Sequence, residues 1–360
     1  MTEAATTVLD REAVAAVDVS GQMEDVLSLP EHLRDALWRV ESAGLESRDA
    51  PGGLVVAGMG GSGMGGALAR AALGDRASRP LGLARHYELP AWTTPDTMVL
   101  CSSYSGDTEE TLACYEAAGA VGARRAVATT GGQLAAAARS DGVPVIPVPA
   151  GLRPRAAVAY MTVAALEVAA ISGAAPGLRA EVDVAAAHAE QLAAEWGPDG
   201  GEDCLSKSLA RGLWDTVPQI AGAGLTSAVA YRWKCQINEN AKLPAFAAEL
   251  PELDHNEIVG WTGAPMLGRF SAVFLDDSDL HPRTRQRITL TRELIEPFAA
   301  ETFLVQTRGE SRIERVISLV LLGDLVSLYL AILGGVDPEP VAPIDQLKEQ
   351  LTPAEPLPEP

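Results

Sequence analysis

The 360-residue chain is 47% hydrophobic and 21% charged, enough apolar material for the cores of two ordinary domains. Its 28 basic and 48 acidic residues leave a net charge of −20, which argues against nucleic acid or an anionic membrane as a partner, since both reward a basic face. The opening Met-Thr-Glu-Ala-Ala has neither the basic start nor the apolar run of an export signal. The four cysteines, Cys101, Cys114, Cys204 and Cys235, lack metal-ligand spacing, so free thiols in a reducing cytoplasm are expected.

In chain order, residues 22–45 carry Val26, Leu29, Leu33, Leu37 and Val40 at three- or four-residue steps, predicting an amphipathic helix and making 1–45 an N-terminal helical brace. A strand at 54–57, a glycine-rich turn and a helix at 62–73 follow, then strands at 81–85 and 98–102. A helix at 108–118, a strand at 125–128, a helix at 133–140, a strand at 143–148 and a long helix at 155–171 complete a first unit, 46–173. Ser172-Gly-Ala-Ala-Pro-Gly177 reads as a linker. The second unit, 178–338, has a helix at 181–196, a strand at 218–221, the turn Gly222-Ala-Gly224 and a helix to Cys235. It then has a strand at 272–275, a helix at 281–294, a strand at 302–305 and a long apolar helix from Ile313. Asp324 in the middle of that apolar run, with Ser318, Gly323 and Ser327, predicts a core helix rather than a membrane span. Residues 339–360 give a short helix and, from Leu351, a proline-rich tail expected to be disordered. Strands alternating with helices predict an α/β fold in which each unit is a parallel sheet flanked by helices.

Two loops have the character of anion sites. Gly58-x-Gly60-x-x-Gly63 follows a strand and opens a helix, as a dinucleotide fingerprint does, but the acidic partner expected after the second strand is replaced by Arg85-His86. Glycines at such a turn let any anionic or polyol ligand approach the backbone. In the second loop, Ser103, Ser105 and Thr108 gather at the start of a helix, where hydroxyls and unpaired N–H groups can receive a phosphate. Plain capping by Thr108 needs only one hydroxyl, so phosphate is the stronger reading.

Residues 238–257 bring a carboxylate, a lysine and a histidine into one segment, Asn-Glu-Asn-Ala-Lys at 238–242 and Asp-His-Asn-Glu at 254–257. Glu239 is a candidate proton shuttle, with Asn238 and Asn240 able to hold it or a sugar hydroxyl. His255 suits proton transfer to or from a ring oxygen near neutral pH. The alternative for His255 is a surface residue or a metal ligand grouped with Glu252, Asp254 and Glu257. Metal is disfavoured because the other four histidines lie in unrelated contexts. Arg153 and Arg155 flank Pro154 at a loop-to-helix junction, where a permanent cation could offset anionic charge. Only four lysines occur, Lys207, Lys234, Lys242 and Lys348, so each invites a reason; for Lys207 chance suffices.

Gly60-Gly-Ser-Gly63 and Ser103-x-Ser-Gly-x-Thr-x-Glu-Thr111 resemble the sugar isomerase (SIS) domain, a flavodoxin-like module that binds phosphosugars. Together with residues 238–257, Gly334-Gly-Val-Asp-Pro338 and Ile344-Asp-Gln-Leu-Lys348, they make the chain similar to the bifunctional phosphoglucose/phosphomannose isomerase family. The resemblance implies two SIS subdomains and aldose–ketose isomerisation of glucose 6-phosphate, with mannose 6-phosphate less secure, to fructose 6-phosphate through a cis-enediol. It places this chemistry in glycolysis and gluconeogenesis, without metal or nucleotide. It implies Glu239 as the base, His255 as the ring-opening group crossing from the second subunit of a homodimer, and Arg155 and Lys348 as further catalytic groups. Gly60, Gly61, Ser62, Ser103, Ser105 and Thr108 would hold the sugar phosphate. A non-catalytic phosphosugar-binding regulator is the alternative, and a nicotinamide-dependent dehydrogenase a weaker one.

Overall fold

The computed structural model describes residues 7–351. The first sheet contains β1 (Leu54–Ala57), β2 (Leu81–Ala84), β3 (Met98–Ser102), β4 (Arg124–Thr129) and β5 (Val145–Pro147), in the spatial order β2-β1-β3-β4-β5. The second contains β6 (Val217–Gly222), β7 (Phe246–Glu249), β8 (Phe270–Asp276) and β9 (Glu301–Gln306), in the order β7-β6-β8-β9. Every strand pairing in both sheets is parallel. Parallel strands joined by helical crossovers are covered on both faces, which is why β1 and β3 read as unbroken apolar runs and are buried throughout. The expected α/β class is therefore correct.

The two sheets share one core. Leu54, Val56 and Leu100 of the first sheet belong to the same apolar cluster as Ile220, Val273 and Leu275 of the second. Between them runs the helix Arg312–Gly334, opened by a capping box in which Ser311 and Glu314 satisfy each other's backbone N–H groups. It is long and apolar enough to cross a membrane, yet 94% of its apolar window is buried inside the protein, as the buried Asp324 in its middle requires. It packs against the helices Gly60–Leu73, Arg179–Trp196, Leu205–Leu213 and Leu225–Gln236.

Several elements differ from the sequence expectation. The single helix expected at 22–45 breaks at Ser28 into Gln22–Leu27 and Leu29–Ser42, because Pro30 has no N–H and belongs in a first helical turn. Strand β7 escaped the pattern reading, since Phe-Ala-Ala-Glu between two prolines lacks β-branched residues. The helices Arg11–Val17 and Leu205–Leu213 were also unforeseen. Lys207, dismissed as chance, is fully buried and donates to the Pro198 and Gly200 carbonyls and to Glu202, at 3.1, 2.9 and 2.9 Å. It ties the loop 197–202 to the core as a bound cation would. The terminal helix spans Ala342–Leu351, and the tail expected beyond Leu351 lies outside the described residues.

Candidate active site

Strand order reverses between β1 and β3, so the loops leaving their carboxyl ends diverge and open a crevice there. Both anion-site loops start at that point. The first enters the helix Gly60–Leu73, whose N-cap, Met59, offers no side-chain acceptor to the first-turn N–H groups. Glycine at 63 is dictated by packing: a Cβ there would lie 2.2 Å from the Gly58 carbonyl oxygen. The second loop enters the helix Glu109–Ala120 with Thr108 at the N-cap, yet the Thr108 hydroxyl makes no capping bond. It lies 2.8 Å from the hydroxyl of buried Ser103, which also accepts from the Gly106 N–H at 3.0 Å. Gly106 has φ +78°, and a Cβ on it would collide with the Gly131 carbonyl. Exposed Ser105 accepts from the Asp107 N–H at 3.2 Å.

Tyr104, a residue the sequence reading passed over, ties three loops together. Its N–H donates to the Ser62 hydroxyl at 3.0 Å, joining the glycine turn to the Ser/Thr loop. Its phenol donates to the Pro149 carbonyl at 3.1 Å and accepts from the Leu152 N–H at 2.8 Å, anchoring the loop that leads to Arg155. Gly61 completes the junction, since its Cα abuts Pro154, whose carbonyl oxygen would be 2.6 Å from an added Cβ.

Arg155 and Glu239 meet at this crevice. The Arg155 Nη1 is 3.5 Å from the Glu239 Oε2, with the arginine side chain only 5% exposed and the glutamate 30%. Burial pushes the Arg155 pKa down from its ordinary value, and the Glu239 charge opposes that shift. The Arg155 Nη2 donates to the carbonyls of Pro338 (2.8 Å) and Glu339 (3.3 Å), so the strap after the long helix lies over the guanidinium. Arg153 stands at the rim, paired with the Glu339 carboxylate.

Glu239 sits in a π-helical turn, Ile237–Ala241, that extends the helix Leu225–Gln236; such widened turns recur at functional sites. Lys242 ends the turn in a left-handed conformation, φ +58°. Its ammonium donates to the Glu239 carbonyl (2.5 Å) and the Pro338 carbonyl (2.9 Å). Burial, and then the Arg155 charge, lower its pKa. Lys242 thus ties the turn that carries Glu239 to the strap at Pro338. Of the two places expected for the neighbouring amides, on the carboxylate or on a sugar hydroxyl, the first is not taken: Asn238 donates to the Leu243 carbonyl and Asn240 to the Ser327 hydroxyl, each at 2.8 Å.

Closeness in sequence did not bring His255 to Glu239. The Leu250 N–H donates to the Gly222 carbonyl, so β7 ends beside the start of the helix Leu225–Gln236, and His255 follows on the exposed turn Glu252–His255. Glu239 lies at the other end of that helix, about 20 Å further along its axis. Among the described residues, no hydrogen bond or ion pair joins the imidazole to either charged group. Asp254 is taken by Arg287 and Thr291, Glu257 by Gln219 and Glu252 by Asn256, and no cluster of three or more His, Cys, Asp or Glu among the described residues could hold a metal ion. Lys348 is exposed on the helix Ala342–Leu351, ten residues past the strap carbonyl that Arg155 and Lys242 share.

Comparison with known structures places this architecture. A glucose-6-phosphate isomerase like protein from Thermus thermophilus superimposes with a TM-score of 0.61 at 20% identity, covering 96% of this chain and 99% of that one. The two proteins therefore share a fold, two parallel sheets flanked by helices. The bacterial phospho-glucose isomerase C-terminal SIS domain matches residues 202–351. The bifunctional phosphoglucose/phosphomannose isomerase of Caldicellulosiruptor bescii is 40% identical over 334 residues, 91% of this chain and 98% of its own. That of Aquifex aeolicus is 33% identical over 300 residues, 83% of this chain and 90% of its own. The chain belongs to the bifunctional phosphoglucose/phosphomannose isomerase family and is a phosphosugar isomerase.

Proposed function

We propose that this isomerase interconverts glucose 6-phosphate, and also mannose 6-phosphate, with fructose 6-phosphate through a cis-enediol. The observation that carries the reading is the Arg155–Glu239 pair, 3.5 Å apart, beside a Ser/Thr loop whose N-cap hydroxyl is not spent on capping. Ser103, Ser105, Thr108 and the first-turn N–H groups at Gly60, Gly61 and Ser62 receive the phosphate and the adjoining hydroxyls. Glu239 takes the proton from C2 of the open-chain aldose and returns it to C1, work that a positioned carboxylate speeds by about 10²–10⁴-fold. Arg155 faces the enediolate oxygens and offsets their charge without reorganising.

Ring opening needs a second proton carrier, which we assign to His255 of a second copy, with Lys348 near the sugar ring. The separation of His255 from Glu239 within one chain supports a homodimer. So do the apolar residues exposed around the histidine loop, Phe246 at 54%, Val259 at 69%, Met266 at 84% and Leu267 at 83%. Four free cysteines fit a reducing cytoplasm, and each assigned step uses protein groups alone.

A coupled assay of glucose 6-phosphate and mannose 6-phosphate, run on wild type and Glu239→Gln, tests this. The expected result is turnover of both sugars by wild type and a loss of about 10²-fold or more in the variant. A variant that keeps wild-type kcat would remove Glu239 as the proton shuttle. A wild type that binds but does not convert the sugars would favour a phosphosugar-sensing role.

A further inference from the structure

We infer that the buried Arg232–Asp324 ion pair, extended by Ser327 and Asn240, is the positioning device that sets Glu239 against Arg155. Its functional readout rests on the isomerase reading above; its geometric readout does not.

The helix Leu225–Gln236 and its π-helical extension Ile237–Ala241 meet the helix Arg312–Gly334 along a seam of polar contacts at Leu319, Asp324 and Ser327 of the longer helix. At the first step the Trp233 indole N–H donates to the Leu319 carbonyl at 2.7 Å, and only glycine fits at 323, where a Cβ would be 2.1 Å from that nitrogen. At the next, the Arg232 guanidinium grips Asp324 with both prongs, Nε to Oδ1 at 3.0 Å and Nη2 to Oδ2 at 2.5 Å. Three residues further along the long helix, the Asn240 Nδ2 donates to the Ser327 hydroxyl at 2.8 Å. Ser327 gives its own proton to the Asp324 carbonyl at 2.7 Å, so it can only accept from Asn240. That fixes the amide and leaves the Asn240 Oδ1 buried without a partner.

This network touches both charged groups of the site from behind. The Arg232 Nη2 also donates to the carbonyl of Arg155 at 3.0 Å, fixing the backbone from which that guanidinium extends. Asn240 is the immediate neighbour of Glu239. Successive side chains of a helical turn, the widened π turn included, point to different sides, so a residue held to the core helix leaves the one before it free to face Arg155. A slip of one turn along the seam would move Glu239 by about 5 Å.

Stability alone does not call for such a pair. With 2% and 5% of the two side chains exposed, the desolvation cost is large, and apolar residues of similar volume serve a core as well or better. What an apolar seam lacks is a unique register. The ion pair supplies that, and neither member reaches the crevice itself.

The test uses the full chain. In an Arg232→Met/Asp324→Leu double variant the core stays packed while the register loses its polar lock. The expected result is a variant that still folds and unfolds cooperatively, a kcat about 10–100-fold lower with KM nearly unchanged, and a crystal structure in which the Arg155–Glu239 separation exceeds 3.5 Å. Ser327→Ala, which removes one acceptor and little volume, should lower kcat in the same direction by a smaller factor. Wild-type kcat in both variants, or an unmoved Arg155–Glu239 pair in the crystal, overturns the inference. If wild type itself converts no hexose phosphate, the isomerase reading fails, and the crystallographic separation still decides this one.

Discussion

Replacing Arg155 with methionine keeps the apolar stem and removes three things at once: the cation beside Glu239 and two donors to the strap. At 3.5 Å and an effective dielectric near 20, unit charges attract by about 5 kcal/mol; the 30% exposure of Glu239 screens this to about 2–4 kcal/mol. An enediolate at similar range from the guanidinium would draw on the same field, and removal of one preorganised donor in acyl-transfer sites costs about 2.7–4 kcal/mol. The expected loss in kcat for fructose 6-phosphate formation is therefore about 10²–10³-fold. The strap should loosen too, because the Pro338 and Glu339 carbonyls lose their guanidinium partner, seen as faster amide exchange across residues 336–341. Arg155→Lys retains the charge but cannot span both carbonyls and the carboxylate, so it should recover only part of the loss. Steady-state kinetics on the three proteins decide the matter: a methionine variant within tenfold of wild-type kcat refutes the electrostatic role.

Three further outcomes follow from local geometry. Lys207→Met takes the ammonium from the buried Pro198 carbonyl, the half-buried Gly200 carbonyl and Glu202, which keeps the Leu9 N–H and Arg211, and urea unfolding should reveal a loss of about 1–3 kcal/mol, while no measurable loss would mean water replaces the ammonium. Burial raises the Glu202 carboxyl pKa, but bonds from Lys207, the Leu9 N–H and Arg211 together win and hold it below its ordinary 4.5. The unfolded chain then binds this proton more readily, so the group's stabilising contribution is complete above about 4.5 and fades as pH falls through the depressed value. Glu202→Gln should flatten that acid limb in thermal melts, and an unchanged slope would refute the assignment. Gly63→Ala forces a Cβ to 2.2 Å from the Gly58 carbonyl, so the turn must open; a cost of about 3 kcal/mol and weakened phosphate-ester binding in calorimetry are expected, and a variant with native stability and affinity would contradict this packing argument.

The sequence by itself determined what depends on local pattern. Apolar runs between glycine turns marked the buried parallel strands, Asp324 in an apolar stretch marked a core helix, and three hydroxyls at a helix start marked the Ser/Thr loop. Glu239 and Arg155 could be named from their motifs. What the pattern could not carry was anything set by register or by packing across the two sheets. Strand β7 was invisible because two alanines between prolines pair with β6 through backbone bonds that no side chain advertises. Lys207 looked incidental because its partners are backbone carbonyls. Asn238 and Asn240 looked like groups for the carboxylate, but one is consumed by a turn and the other by the core helix. The segment 238–257 was legible as chemistry and illegible as geometry. A helix running one way and a strand running back leave neighbours in sequence at opposite ends of the sheet, while Arg155 and Glu239, 84 positions apart, meet because Arg232 and Asp324 hold the chain that carries them.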